Sequence, residues 1–330
     1  MGNKKDLFVT NTREIKNEFV WSGMAQAKKL AALFYAMEGK AVDTAAIKEA
    51  KAYIKQNTGF FSSFRGNMGL TVATLLSLKQ NKEEIFADTL TVYDKLKAVS
   101  FYGSDYLIMA AFQIAANTAR KDYDVVVART RAFYDGMKAH HWFCTSQDDY
   151  IFCAVLAMSS INVASGVEQI ESYMTKLKGR LGLLLGKNNL QGLAEVLTLC
   201  GTADKSDRVI ALNETLKANK LKLNRDFVLP VLGILALLPI SDDAVARELS
   251  ETRDYLRSQK GFGEFSVPNY EVLLYAAALV IDSHIDELKS DTLNATLSTG
   301  VTGIIIAAQT AMICVACAAS SAAAASSASS

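Results

Sequence analysis

Apolar and polar residues along the chain follow two kinds of helical pattern that alternate. In the first kind, apolar residues recur at helical spacing with charged residues around them, which predicts an amphipathic helix. In one such helix, the predicted buried stripe is Phe86, Leu90, Tyr93 and Lys97, with Leu96 beside it. The second kind, as in residues 106–116, is apolar on all sides and predicts a helix that other elements cover. The turn before it, residues 100–103, is followed by Ser104 and Asp105, either of which can cap this covered helix.

The alternation repeats along the chain. A large apolar residue followed by a basic residue closes each predicted amphipathic helix, and successive pairs lie 39 to 42 residues apart. These pairs begin at Ile54, Leu96, Met137, Leu177, Leu216 and Leu256. A fixed period of this size is typical of helical repeat proteins. The sequence therefore predicts an all-α fold, an array of about six helical hairpins with a repeat of ~40 residues.

The turns that follow these pairs share a bulky residue. Five of the six pairs are followed, five or six positions on, by Phe60, Phe101, Trp142, Leu221 and Phe262. We interpret this residue as the hydrophobic contact that closes a helix C-terminus. Gly59, Gly103 and Gly261 add backbone freedom at three turns. The fourth turn, which contains Gly179, Gly182 and Gly186, is expected to be longer.

The same reasoning gives the approximate bounds of each helix. An opening helix and the apolar member of a first hairpin are predicted over residues 11–35. The later predicted helices are 44–55, 70–78, 106–116, 124–139, 151–158, 167–178, 190–200, 206–218, 227–238, 242–259 and 269–281. Asp43 is placed to cap the helix at 44–55, and Arg225 or Asp226 to cap the helix that contains Pro230. A proline in the first turn costs little because its missing N–H would have no helical partner there.

The sequence does not decide between two overall arrangements of the array, an α-solenoid and a compact α/α toroid. A solenoid presents a groove, whereas a toroid buries its inner helices as a ring. The uniformly apolar inner helices favour a compact or strongly curved array. We expect a helical-repeat domain over residues 1–282, a linker and apolar helix over 283–319, and a disordered Ala/Ser tail over 320–330.

Charge and cysteine content indicate which partners and which cellular compartment to expect. The chain has 35 basic and 34 acidic residues, a net charge of +1, so no nucleic-acid partner is predicted. Its five cysteines show no disulfide spacing, and its first residues lack the apolar core of a signal peptide. We therefore expect a reduced, cytoplasmic protein.

The segment from Gly300 to Ala319 carries no charge, and two structures are consistent with it. Its length is enough to span a bilayer. However, polar and small residues dilute it, and it lacks the Trp, Tyr, Lys and Arg residues that mark membrane interfaces. We therefore favour a helix that docks on the protein body and keep a membrane anchor as the alternative.

Several short motifs together resemble a known family. They are Phe64-Arg65-Gly66-Asn67, Ser146-Gln147-Asp148-Asp149-Tyr150, Lys260-Gly261-Phe262-Gly263 and the Ala/Ser tail. The chain is similar over its whole length to the bacterial family of domain of unknown function 4003. That resemblance implies a cytosolic bacterial protein and supplies no catalytic residues.

Residues that could carry metal or cofactor chemistry are few. One short segment holds every type of metal-ligand atom, in His140, His141, Cys144, Asp148 and Asp149. Adjacent residues of a helix point about 100° apart, and no paired His or Cys set recurs at helical spacing, so we predict no metal site there. Cys314 and Cys317 lack a second ligand pair and are interpreted as packing residues. We predict no cofactor.

The sequence leaves two classes of function. The first is a scaffold that binds another protein or a peptide, since equivalent turns of a repeat array lie along one edge. The second is an enzyme or small-ligand binder with a polar cavity at one end of an α/α toroid. In both classes the candidate ligand- or partner-binding residues are the same, although no specific motif singles them out: Arg65, Asn67, Asp105, Asp148 and Asp149. We favour the binding scaffold because no catalytic motif is present.

Overall fold

The computed structural model describes residues 2–20, 24–142, 144–181, 187–199, 204–223 and 228–285. Within these ranges the fold is all α, with fourteen α-helices and no strand, which confirms the predicted class. The described residues form two compact units. We call residues 2–123 the N-terminal unit and residues 124–285 the C-terminal unit.

The N-terminal unit is built from helices that pack in sequential pairs. Its helices are α1 (Gly2–Glu18), α2 (Ala25–Met37), α3 (Thr44–Gln56), α4 (Gly69–Ser77), α5 (Lys82–Ala98) and α6 (Asp105–Asn117). Contacts join α1 to α2, α3 to α4 and α5 to α6, as expected for hairpins. In addition α2 contacts α4, while α1 contacts α3 and α3 contacts α5. Alternate helices of the chain are therefore neighbours.

The C-terminal unit shows the same kind of contacts. Its helices are α7 (Tyr123–His140), α8 (Tyr150–Met158), α9 (Val163–Leu177), α10 (Lys187–Leu199), α11 (Ser206–Ala218), α12 (Leu229–Leu235), α13 (Asp242–Ser258) and α14 (Asn269–Ser283). The apolar helices α8, α10, α12 and α14 contact one another in that order. The amphipathic helices α9, α11 and α13 do the same, and α13 pairs with α14.

The predicted alternation of covered and amphipathic helices is confirmed in the described residues. Every residue of α6 from Leu107 to Ala115 is buried, as is every residue of α12. In α5, by contrast, only one face is buried; it includes Phe86 and Leu96, as predicted, but Lys97 of the predicted stripe is exposed. The buried residues of α5 are Ile85, Phe86, Thr89, Val92 and Leu96. Leu90 and Tyr93 are only half-buried, because the buried face is centred on Thr89 and Val92.

Side-chain caps explain where several helices begin. The Asp43 carboxylate accepts from the Ala46 N–H at 2.8 Å, and Ser104 Oγ accepts from the Leu107 N–H at 3.1 Å, as predicted. Helix α9 begins at Val163 instead of residue 167, because the Asn162 side chain caps it. Each cap satisfies a backbone donor that the first helical turn leaves free.

The hydrophobic contacts predicted at the turns are correct at three positions and wrong at two. Phe101, Leu221 and Phe262 are buried. Phe60 and Trp142 are exposed instead. At the first of these turns Phe64 takes the buried place, and its ring packs edge-on against Phe86 and Tyr93.

Some predictions fall on residues that the structure does not describe. These are Gly182, Gly186, Cys200, Arg225, Asp226 and all of 286–330, including the segment 300–319, Cys314 and Cys317. No helix in the described ranges is both long enough and apolar enough to cross a membrane. The repeat array, its closure and the domain bounds stay predictions.

Candidate functional site

The five predicted site residues fall into two groups, each within one unit. Arg65, Asn67 and Asp105 belong to the N-terminal unit, and Asp148 and Asp149 belong to the C-terminal unit.

In the N-terminal unit, two turns lie side by side. Residues 58–68 lead from α3 into α4, and residues 99–105 lead from α5 into α6; together we call them the turn edge. The Asn67 Nδ2 donates to Asp105 Oδ2 across the two turns at 3.4 Å. A short 3₁₀ helix at Ser63–Arg65 also contacts α6. The structure thus brings together two of the turns that the sequence singled out.

The Asp105 carboxyl is only partly accessible within this edge. Burial raises its pKa above the usual range, and the hydrogen bond from Asn67 acts in the opposite direction. Asp105 is also the first residue of α6, where a negative charge interacts favourably with the helix dipole. A carboxyl of this kind is suited to accept a hydrogen bond from a partner group.

Arg65 supports the turn edge from inside the chain. Its Nη2 donates to the carbonyl oxygens of Lys55 and Thr58, and its Nε donates to Thr58 Oγ1 at 3.1 Å. These carbonyls lie at the C-terminal end of α3, where no helical N–H is left to pair with them. These hydrogen bonds give the guanidinium a structural role in the turn.

Three large aromatic side chains stand out from the turn edge, and the sequence analysis did not identify them as a surface. Phe60, Phe61 and Tyr102 are 79%, 95% and 73% exposed. The rings of Phe60 and Phe61 pack edge-on with centroids 5.1 Å apart. A signal was present in the sequence, since a helix C-terminus needs one apolar contact and this turn carries three phenylalanines.

In the C-terminal unit, Asp148 and Asp149 lie in a capping motif. The Ser146 N–H donates to Asp149 Oδ2 at 2.7 Å, and the Ser146 hydroxyl donates to Asp148. With the reciprocal bond from the Asp149 N–H, this forms a capping box at the start of α8. Asp149 is only 2% exposed, whereas Asp148 is half-buried.

A second buried carboxyl, Glu195 of α10, was missed in the sequence analysis. It is 0% exposed, and neither of its carboxyl oxygens has a partner with good hydrogen-bond geometry, although the Gln191 side chain lies close enough to lower its pKa. One turn earlier on α10, the buried Gln191 accepts from Thr145 Oγ1 at 3.3 Å, and its Nε2 has no partner with hydrogen-bond geometry. We call Asp149, Gln191 and Glu195 the buried carboxyl cluster.

The electrostatics of this cluster favour neutral carboxyl groups. Burial raises the pKa of Asp149 well above the usual range, and the charge of Asp148 raises it further. Burial likewise raises the pKa of Glu195, followed by the charges of Asp149 and Asp148. Gln191 lowers the pKa of both carboxyl groups. The cluster can hold a proton, but its members are closed to solvent.

The residues considered for a metal site are not assembled into one. His141 Nε2 lies 2.8 Å from Glu171 Oε2, so it pairs with a carboxylate of α9. His140 is exposed and Cys144 is buried. Across the described ranges, no group of three or more His, Cys, Asp or Glu side chains is arranged to hold a metal ion.

Comparison with known proteins gives the family of the chain. It is 22% identical over 312 residues to the uncharacterised protein YeaA of Bacillus subtilis strain 168, and the match covers 92% of this chain and 91% of that relative. No solved structure matches the chain. A model of the family described as "Protein of unknown function (DUF4003)" matches residues 11–311, which confirms the resemblance seen in the motifs. The chain therefore belongs to the DUF4003 family.

Proposed function

We propose that the protein is a non-catalytic binding protein, and that the turn edge of its N-terminal unit binds a protein or peptide partner. One observation supports this above all: Phe60, Phe61 and Tyr102 are largely exposed on two turns that the Asn67–Asp105 hydrogen bond joins. Single exposed apolar residues are ordinary on protein surfaces, whereas a group of aromatic residues is typical of an interaction site.

Burial of these three aromatic rings by a partner would account for binding of modest affinity. Full burial of one such ring contributes about 1.5–3 kcal/mol. Three rings therefore contribute roughly 5–9 kcal/mol before the entropic cost of association is subtracted. Since micromolar binding corresponds to about 8 kcal/mol, further contacts are needed for tight binding. Asp105 offers one such contact to a lysine, an arginine or a backbone N–H of the partner.

The turn edge is held in shape before a partner arrives. Arg65 fixes the first turn through the end of α3, and Ser104 fixes the second by capping α6. The buried Phe64 ring packs against Tyr93 with centroids 5.2 Å apart, which ties the first turn to α5. Preorganised contact residues lose less conformational entropy on binding, so the same contacts give a higher affinity.

A selection from a random peptide library tests the proposal. The full chain is immobilised, selected peptides are synthesised, and their dissociation constants are measured for wild-type protein and for Phe60→Ser/Phe61→Ser. The matched control is Phe265→Ser, because Phe265 is a fully exposed phenylalanine of the C-terminal unit. We expect peptides rich in apolar residues with a nearby Lys or Arg, and at least a tenfold loss of affinity in the double variant only.

Two results would contradict the proposal. One is a set of selected peptides that binds the double variant and the wild type equally well. The other is an equal loss in Phe265→Ser, which would indicate non-specific adhesion to exposed rings. Asp105→Asn tests the polar contact. It is expected to weaken the binding of peptides that carry Lys or Arg and to leave the binding of purely apolar peptides unchanged.

The enzymatic alternative, with a polar cavity at one end of a toroid, has one supporting observation. Strongly perturbed carboxyl groups such as Asp149 and Glu195 are often found in active sites. A catalytic acid must touch its substrate, however, and both groups are closed to solvent. The capping box accounts for Asp149 without catalysis. Asp149→Asn tests the structural role, which predicts lower stability of the C-terminal unit; unchanged stability would remove that explanation of Asp149.

A further inference from the structure

A cavity of about 460 Å³ opens in the N-terminal unit between the end of α1 and one face of α3. On the α3 side, Lys48, Lys51 and Lys55 line it. Spacings of three and four residues place these lysines on the same face of a helix. On the α1 side, Glu18 and the apolar Phe19 contribute to the wall. The cavity therefore combines a basic face with an apolar one.

The positive charge of this cavity is only partly balanced. Lys48 forms an ion pair with Glu18. Lys51 and Lys55 have no carboxylate partner in the part of the chain that the structure describes. Lys28 of α2 adds a further ammonium beside the cavity, and its Nζ donates to the carbonyl oxygen of Val20 at 3.3 Å.

The lysines influence one another, which shows that their charges are close. Burial lowers the pKa of Lys51, and the charges of Lys55 and Lys28 lower it further. Burial also lowers the pKa of Lys28, with a contribution from Lys16. These lysines outnumber the one carboxylate of the cavity wall, Glu18, so their charges repel one another, and a bound anion would relieve that repulsion. An anion is therefore the kind of ligand that this basic wall favours.

We propose that this cavity binds a small molecule that carries at least two negative charges on phosphate groups. Two unpaired ammonium groups, on Lys51 and Lys55, match two such charges, and lysine binds phosphate oxygens as a compact point charge. The volume suits a small ligand. Phe19, Val20 and Ala52 give the ligand an apolar surface to lie against. The proposal does not depend on the turn edge or on its partner.

Calorimetric titration of the full chain with pyrophosphate tests the proposal. We expect saturable binding of one pyrophosphate, weakened at least tenfold in Lys51→Gln/Lys55→Gln. The matched control is Lys79→Gln/Lys121→Gln, which removes the same charge from two exposed lysines of the same unit. This control is expected to bind as the wild type does. Equal weakening in both double variants, or no saturable binding to the wild type, would overturn the proposal.

A second variant keeps the test independent of the lysine substitutions. Ala52→Leu leaves every charge in place and adds bulk to the cavity wall, where Ala52 is exposed and helical. It is expected to weaken pyrophosphate binding at least tenfold while the circular dichroism spectrum stays unchanged. Unchanged binding in a folded Ala52→Leu variant would overturn the assignment of this cavity.

Sedimentation with phosphatidylglycerol vesicles separates a free phosphorylated ligand from a lipid headgroup. We expect no sedimentation that depends on Lys51 and Lys55. Vesicle binding that is lost in Lys51→Gln/Lys55→Gln, together with no binding of pyrophosphate, would overturn the proposal in favour of a membrane surface.

Discussion

Replacement of Glu195 by methionine is expected to raise the free energy of unfolding of the C-terminal unit. Glu195 is 0% exposed, and neither of its carboxyl oxygens has a partner with good hydrogen-bond geometry, since the nearby Gln191 side chain is poorly aligned with it. Methionine has a similar length and flexibility without the two oxygens. The substitution therefore removes an unsatisfied polar group and leaves the packing of α10 largely intact.

The expected magnitude follows from the cost of burying such a group. A buried polar group without a partner costs about 1–3 kcal/mol. We therefore expect a gain of about 2 kcal/mol at pH 8, which corresponds to a rise in Tm of roughly 4–8 °C for a body of 150–250 residues.

The increase in the free energy of unfolding should depend on pH. The direction of this dependence follows from the difference between the pKa of Glu195 in the folded and in the unfolded chain. Burial, with a further contribution from the charge of Asp149, raises the pKa of Glu195 in the folded protein, so the folded state holds a proton that the unfolded chain releases near pH 4.3. The contribution of Glu195 to stability therefore falls as pH rises above the unfolded value. Since Glu195→Met removes this contribution, the gain should be larger at pH 8 than at pH 5.

Urea and thermal unfolding at pH 5 and pH 8 measure the effect. The matched control is Glu271→Met in α14, because Glu271 is also buried but accepts from the Tyr275 hydroxyl at 2.8 Å. Loss of that acceptor should lower the free energy of unfolding by about 1–3 kcal/mol. If Glu195→Met were destabilising at pH 8 to the same extent as Glu271→Met, Glu195 would have a stabilising partner and the reasoning would be wrong.

Two further predictions concern a closely packed glycine, with a second glycine as its control, and a helix cap, and each is measured by urea unfolding. Gly136→Ala should lower the free energy of unfolding by about 1 kcal/mol, since its new Cβ would lie 2.7 Å from Val167 Cγ2 and overpacking outweighs the helix propensity of alanine. Gly59→Ala has nothing within 4 Å and should be neutral or slightly stabilising, so a loss there would question this explanation. Ser104→Ala should cost about 1 kcal/mol because it removes the acceptor of the Leu107 N–H, and an unchanged stability would show that the cap is dispensable.

Much of the fold was predictable because the signals that set helices are local. The apolar run at 106–116 and the caps at Asp43 and Ser104 gave the bounds of α3 and α6 to within one residue. The start of α9 was missed because the cap that decides it, Asn162, precedes the first apolar residue of the pattern. Helical periodicity reports the buried face, and it says little about the polar turn before that face.

Which turn residue becomes buried was harder to predict, because that depends on competition between side chains in the folded unit. Phe60 and Phe64 are both suited to close the end of α3. Only Phe64 meets the rings of Phe86 and Tyr93, which belong to the next helix, and Phe60 is left at the surface. The turn pattern therefore predicted that equivalent turns lie along one edge, but not the hydrogen bond between Asn67 and Asp105 or the exposed rings of Phe60 and Phe61.

The buried carboxyl cluster could have been predicted in part from a sequence pattern. Asp149 had an adequate explanation as a capping residue, so nothing in its own segment indicated a second carboxyl nearby. The signal lies on another helix, where Gln191 and Glu195 occupy i and i+4 in a helix whose other described positions from Leu190 to Leu199 are buried and mostly apolar. Neighbouring polar residues on one face of a covered helix have to be buried together. Such a pair predicts a polar cluster inside the protein, and its partner must come from whichever helix packs on that face.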